Sequence, residues 1–160
     1  SVHFSVMHLG YSRFTGRFDA VSGTLDFRPD DPAQSTLDIR IETASVNSGN
    51  AEVDVLLRED LFDATDHQVI RFESTEAALT GAATGTVTGE LTMGGRTRPL
   101  SLTVTFNGAA PNPLTGDYTL GFSATATLDR GDWGLGDWFP AVAREVDLRI
   151  EAEFIRQAAT

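Results

Sequence analysis

The 160-residue chain contains no cysteine, which excludes disulfides, thiolate catalysis and cysteine-based zinc sites. It has no lysine either: all 12 basic residues are arginine, a bias of composition rather than a functional signal. No apolar run approaches the roughly 18 residues that span a bilayer as a helix. Positive charge is scarce, and 23 acidic residues bring the net charge to −11. That balance argues against nucleic acid and against adsorption to anionic lipid. No G-x-S-x-G stretch, no glycine-rich phosphate loop ahead of a helix and no motif-placed acid–base pair is present. Of the three histidines, His3 and His8 fall on opposite faces of one expected strand and His67 falls in a turn, a spacing that matches no metal-ligand set. These absences favour a binding protein over an enzyme.

What the chain has is alternation. Leu37, Ile39 and Ile41 oppose Asp38, Arg40 and Glu42. Leu100, Leu102, Val104 and Phe106 oppose Ser101, Thr103 and Thr105. Tyr118, Leu120, Phe122, Ala124, Ala126 and Leu128 oppose a threonine/serine ladder, and Val146, Leu148, Ile150, Ala152 and Phe154 oppose charged residues. Period two with β-branched enrichment predicts half-buried antiparallel strands. Further strands are expected near Val2–Leu9, Gly16–Phe27, Val69–Leu79 and Thr86–Met93. The second changes phase between Ala20 and Val21, which requires a bulge or sharp bend. Gly94-Gly95 reads as a tight hairpin, and Asn50 to Asp60 as a short helix.

Eight such strands in one domain over residues 1–160 fit a closed barrel or a sandwich. Long strands, short turns and one helix to plug an end favour the all-β, eight-stranded antiparallel barrel, which leaves no edge strand exposed. The chain starts at Ser1 in mid-pattern, so a processed or trimmed product is expected. At eight strands the interior either fills with side chains or holds one small ligand. Gly89, Ala124 and Ala126 are inward positions of little volume. They leave room for a guest or simply relieve crowding. Candidate ligand contacts are Phe4, Val6, His8, Phe14, Phe18, Leu37, Ile39, Leu56, Phe62, Phe72, Leu91, Phe122, Ala124 and Trp133.

His8 shares a strand face with Val2, Phe4 and Val6, where an imidazole costs free energy unless partnered. It meets either a ligand head group or a structural mate. Arg58 is a head-group candidate or an exposed helix-end arginine, and Arg130 a ligand contact or, with Asp129, part of a turn or ion pair. Trp133, Trp138 and Phe139 cluster in a glycine-rich loop that lids the barrel, dips into lipid or packs as an ordinary loop.

Four blocks in order carry a resemblance. They are Val2 to Phe18; Asp60-Leu61-Phe62-Asp63 followed by Ile70-Arg71-Phe72-Glu73-Ser74; Gly89 to Leu102; and Leu128-Asp129-Arg130-Gly131-Asp132-Trp133-Gly134-Leu135. Together they resemble the YceI-like family of bacterial lipid-binding proteins, from the first residues to about Phe154. The resemblance implies an extended lipocalin-like barrel with a helix near one end, in a periplasmic or secreted protein. It implies no cofactor, but an internal channel holding a polyisoprenoid, prenylated quinone or other amphiphile. Two departures stand out. Leu56 occupies a helix position where family members often carry histidine, and His67-Gln68 replaces their Tyr-Pro, so the resemblance implies a less polar or different ligand.

Three functions follow. The first is a carrier sequestering a long apolar ligand. The second is a lipid isomerase or cyclase using the same cavity, with His8 as an acid or base. The third is a protein-interaction module with a filled core and an aromatic loop. A homodimer is compatible with all three.

Overall fold

The computed structural model describes residues 1–157, so the last three residues of the domain expected over 1–160 lie outside the described residues. Within them the chain forms ten strand segments: β1 Val2–His8, β2 Ser12–Phe18, β3 Val21–Asp26, β4 Thr36–Glu42, β5 Val46–Asn47, β6 Val69–Leu79, β7 Thr84–Met93, β8 Arg96–Pro111, β9 Tyr118–Asp129 and β10 Val142–Ile155. They make one antiparallel sheet in the order β3-β4-β6-β7-β8-β9-β10-β1-β2-β5.

The sheet closes on itself because its two ends belong to one bent strand. β2 and β3 are separated only by Asp19 and Ala20, where the inward parity switches. β2 pairs with β1 in the register Phe4↔Gly16, and β3 pairs with β4 in the register Gly23↔Ile39. The Asp19 N–H donates to Ser45 O at 3.0 Å, and the Glu42 N–H to Ala20 O at 2.9 Å. These bonds carry the pairing around the corner to Phe18↔Val46. Counted as long strands, the barrel therefore has the eight expected. The ten segments arise from the Asp19–Ala20 bend and from the two-residue β5, which follows a 3-10 turn at Thr43–Ser45.

The expected helix is α1, Ala51–Leu56, continued by a π-type turn over Leu57–Leu61. Asn50 caps it: its side-chain oxygen accepts the N–H groups of Glu52 and Val53 at 3.0 and 3.2 Å, satisfying donors that the first turn cannot. Buried Asp54 accepts from Ser48 N at 2.8 Å and Ser48 Oγ at 2.6 Å, fastening the entering loop. Val53, Leu57 and Leu61 pack against the barrel core.

The helix lies with the β1–β2, β7–β8 and β9–β10 connections at one end of the barrel. That end is closed by Phe18, Val46, Leu57, Phe62, Trp133 and Leu135, all buried. Toward the other end, inward residues lose burial along β4 and β6 to β9. Ile70 and Phe72 are buried, Ser74 and Ala77 half-buried and Leu79 exposed; Leu100 and Leu102 are buried, Val104 and Phe106 half-buried; Leu128, Ala126 and Ala124 are buried, Phe122 and Leu120 half-buried. The barrel is sealed at the helix and open opposite it.

Candidate ligand-binding site

In the open half lies an apolar cavity of about 180 Å³, walled by β3, β4, β6–β10 and the start of β1. Leu25, Ile39, Val87, Val104, Ala124 and Ile150 face it from six different strands, with Ser74 among the few polar neighbours. The Ser74 hydroxyl is already engaged, accepting the Leu37 N–H at 2.8 Å. A collar of phenylalanines stands at the rim. Phe106 packs on Phe27 and Phe122 with ring centroids 6.3 and 5.4 Å apart, and Phe122 meets Phe154 edge-on at 6.1 Å. Such a space removes hydrocarbon from water at about 0.8 kcal/mol per CH₂. Its inward-facing strand residues carry no charge, the Ser1 amino group and Glu151 being its only charged neighbours among the described residues.

A larger concavity of about 1140 Å³ crosses the outer faces of β8, β9, β10, β1 and β2. Its walls are mainly hydroxyl and charged side chains, including Thr103, Thr125, Asp147 and Arg149. Water satisfies those groups equally well, so the inner cavity is the better candidate despite its size.

Of the residues read as ligand contacts, Leu37, Ile39, Phe72, Leu91, Phe122 and Ala124 line the cavity. The rest lie elsewhere. Phe14, Phe4, Phe18 and Phe62 form, in that order, a continuous aromatic chain in the closed half, at centroid distances of 6.4, 5.7 and 5.9 Å. Val6 is buried near it. Trp133 is 3 % exposed, and its indole N–H donates to Leu91 O at 2.9 Å; it is part of the seal. Leu56 points outward at 47 % exposure, while Leu57 turns inward. Leu56 stands about 100° around the helix from Leu57, on the solvent side of the row Val53, Leu57 and Leu61 that packs on the core.

The head-group candidates are also at the closed end. His8 is exposed: it is the last residue of β1, at the β1–β2 turn, beyond the regular β1–β10 pairing that ends at Val6↔Val146. Arg58 is half-buried beside the helix. Arg130 is a structural residue: its guanidinium donates to Ala143 O and Val142 O, each at 2.9 Å, and to Leu135 O. Burial pushes it below the ordinary arginine value, yet the carbonyls keep its donors satisfied. Asp129 pairs not with Arg130 but with Arg144, at 2.9 Å. Against a burial that raises it, the Gly131 N–H and Arg144 hold the Asp129 carboxyl below its usual value.

Gly89 leaves no room for a guest. A Cβ there would lie 2.6 Å from Phe72 Cζ and collide with the Glu73 carbonyl. Gly16 is covered in the same way by the Phe4 ring, and Gly23 by Ile39. These glycines admit a cross-strand neighbour, and the void lies further toward the rim. Leu25, Ile41, Val87, Leu102, Val104 and Ile150 line it and were not singled out, although strand alternation already marks Ile41, Leu102, Val104 and Ile150 as inward.

Fold and cavity together define a closed antiparallel barrel of lipocalin-like form with an apolar interior open at one end. The YceI-like domain profile matches residues 1–154, and the chain belongs to that family. A UPF0312 protein of Pseudomonas savastanoi pv. phaseolicola is 35 % identical over 157 residues, 98 % of this chain and 81 % of that protein. BcnA of Burkholderia cenocepacia superposes with a TM-score of 0.86 at 23 % identity, covering 96 % of this chain and 94 % of that one. A polyisoprenoid-binding domain from Saccharophagus degradans, implicated in plant cell wall breakdown, superposes at 0.70 with 16 % identity over 98 % and 93 % of the two chains.

Proposed function

We propose that this protein is a single-domain carrier, not an enzyme, holding the apolar chain of a polyisoprenoid, prenylated quinone or similar amphiphile in the open half of its barrel. The observation that carries the reading is the cavity with its phenylalanine collar. Its volume, below the roughly 300 Å³ at which drug-sized pockets begin, suits a slender chain rather than a fused ring system. The absence of charge on the inner wall suits a guest whose head group stays at the rim, in water. The fold shared with a polyisoprenoid-binding domain supports the same ligand class. A role in transport through the periplasm or outside the cell accords with this reading.

Native mass spectrometry of gently purified protein should show a bound lipid of a few hundred daltons, released chemically unchanged after incubation. Ala124→Phe, which fills the cavity from β9, should abolish that mass while the protein stays folded. Persistent ligand-free protein that takes up neither isoprenoid alcohol nor quinone would overturn the proposal, and turnover of the recovered lipid would replace carriage by catalysis.

A further inference from the structure

The open end of the barrel is unusual in charge. Between Ala77 and Gly89, and again between Pro99 and Gly116, this strongly acidic chain has no charged residue. Those stretches are the open-end portions of the β6–β7 and β8–β9 hairpins. The β6–β7 turn is small and uncharged, and the β8–β9 turn, residues 112–117, is uncharged up to Asp117 at its end. Leu79 ends β6 at 64 % exposure, and Leu114 heads the β8–β9 turn at 93 %. Ala82, Ala83, Ala109 and Ala110 are exposed around them. Across the mouth charge returns, with acid in excess at the β3–β4 loop: Asp30 and Asp31 stand there beside the Asp26–Arg28 pair, while Glu151 and Glu153 on β10 are accompanied by Arg149 and Arg156.

We propose that the tips of the β6–β7 and β8–β9 hairpins dock the cavity mouth onto a neutral, zwitterionic lipid bilayer. The inference rests on the carrier reading and adds where the guest comes from. An apolar chain that leaves a bilayer through water is slowed about fourfold per methylene, or about a million-fold for ten. A barrel that receives such a chain on a useful timescale must bring its mouth into contact with the donor surface. These two hairpin tips, with one carboxylate between them, are the part of the rim that can do so. The β6–β7 turn carries no ion to desolvate, the β8–β9 turn carries only Asp117 at its β9 end, and the two leucines can enter the interfacial region. The acidic side of the mouth and the net charge of −11 select a neutral surface over an anionic one. Few apolar side chains are involved, so contact is transient.

The test uses the whole chain and three preparations: wild type, the double variant Leu79→Asp/Leu114→Asp, and a closed-end control, Tyr11→Asp/Phe139→Asp. The four substituted side chains are exposed, so all three proteins should fold. Wild type and control should float with phosphatidylcholine vesicles. The Leu79/Leu114 variant should float at least fivefold less, and one-third phosphatidylglycerol should weaken wild-type binding. Geranylgeraniol transfer from phosphatidylcholine vesicles should be at least tenfold slower for that variant, with loading from an ethanol stock unchanged.

Equal flotation of both variants, or loss only in the closed-end control, overturns the proposal. So does wild type that loads from ethanol but never floats, which leaves the carrier reading standing. Failure to load from either source removes the carrier reading and this inference with it. Self-association abolished by Leu79→Asp/Leu114→Asp, with no vesicle binding, assigns the surface to a second copy of the chain instead.

Discussion

Arg130 illustrates how a charged side chain reads one way in sequence and acts another way in the fold. Its three carbonyl bonds tie the 3-10 turn at Arg130–Trp133 to the start of β10. Arg130→Met should lower unfolding free energy in urea by about 3 kcal/mol, since the buried carbonyls lose charge-assisted donors, and should leave lipid uptake per folded molecule unchanged. Thr43 is the opposite case. It is 1 % exposed and its hydroxyl has no partner among the described residues. Thr43→Val, nearly isosteric, should raise stability by about 1 kcal/mol; a loss of stability would show that the hydroxyl is satisfied in solution.

At the scale of elements, the glycines facing large neighbours across strands supply a paired test. At Gly16 a Cβ meets only the Phe4 ring, a side chain, whereas at Gly89 it also meets the Glu73 backbone carbonyl. Gly16→Ala should cost about 1–3 kcal/mol and be largely rescued by Phe4→Leu. Gly89→Ala should not be rescued by Phe72→Leu. A double-mutant cycle in urea separates the two. The strands themselves were legible because one face is apolar and the other polar, and the phase change at Ala20–Val21 marked the bend that closes the barrel. The position of the void was not legible. Period-two alternation says which residues point inward but nothing of how far along the axis they stand, so Phe4, Phe18 and Phe62 looked equivalent to Phe72 and Phe122. His8 misled for the same reason: alternation puts it on the inward face but does not show that it stands at the very end of β1, past the packed part of the barrel.

For the whole molecule, the surface charges set the response to acid. The Arg71 guanidinium hydrogen-bonded to Asp38 at 2.7 Å holds that carboxyl below its usual value. Asp19 is lowered likewise, first by Asn47 and then by Arg17. Carboxylates depressed in the folded state contribute stability that is present above their unfolded values and is lost as pH falls through the folded ones. Stability should therefore decline below about pH 4, and Asp38→Asn should flatten that decline slightly, as urea midpoints measured from pH 6 to pH 3 will report. The exposed pairs make the effect modest.

The helix, Trp133 and the aromatic chain from Phe14 to Phe62 do their packing with no help from whatever occupies the far end. The closed half thus packs independently of the open half, and the two share only the middle of the barrel, where Phe72, Leu91, Leu100, Leu102 and Ala124 are both core and cavity wall. On the carrier proposal, a barrel that gives up its passenger should keep this keel and be ready to be filled again without refolding.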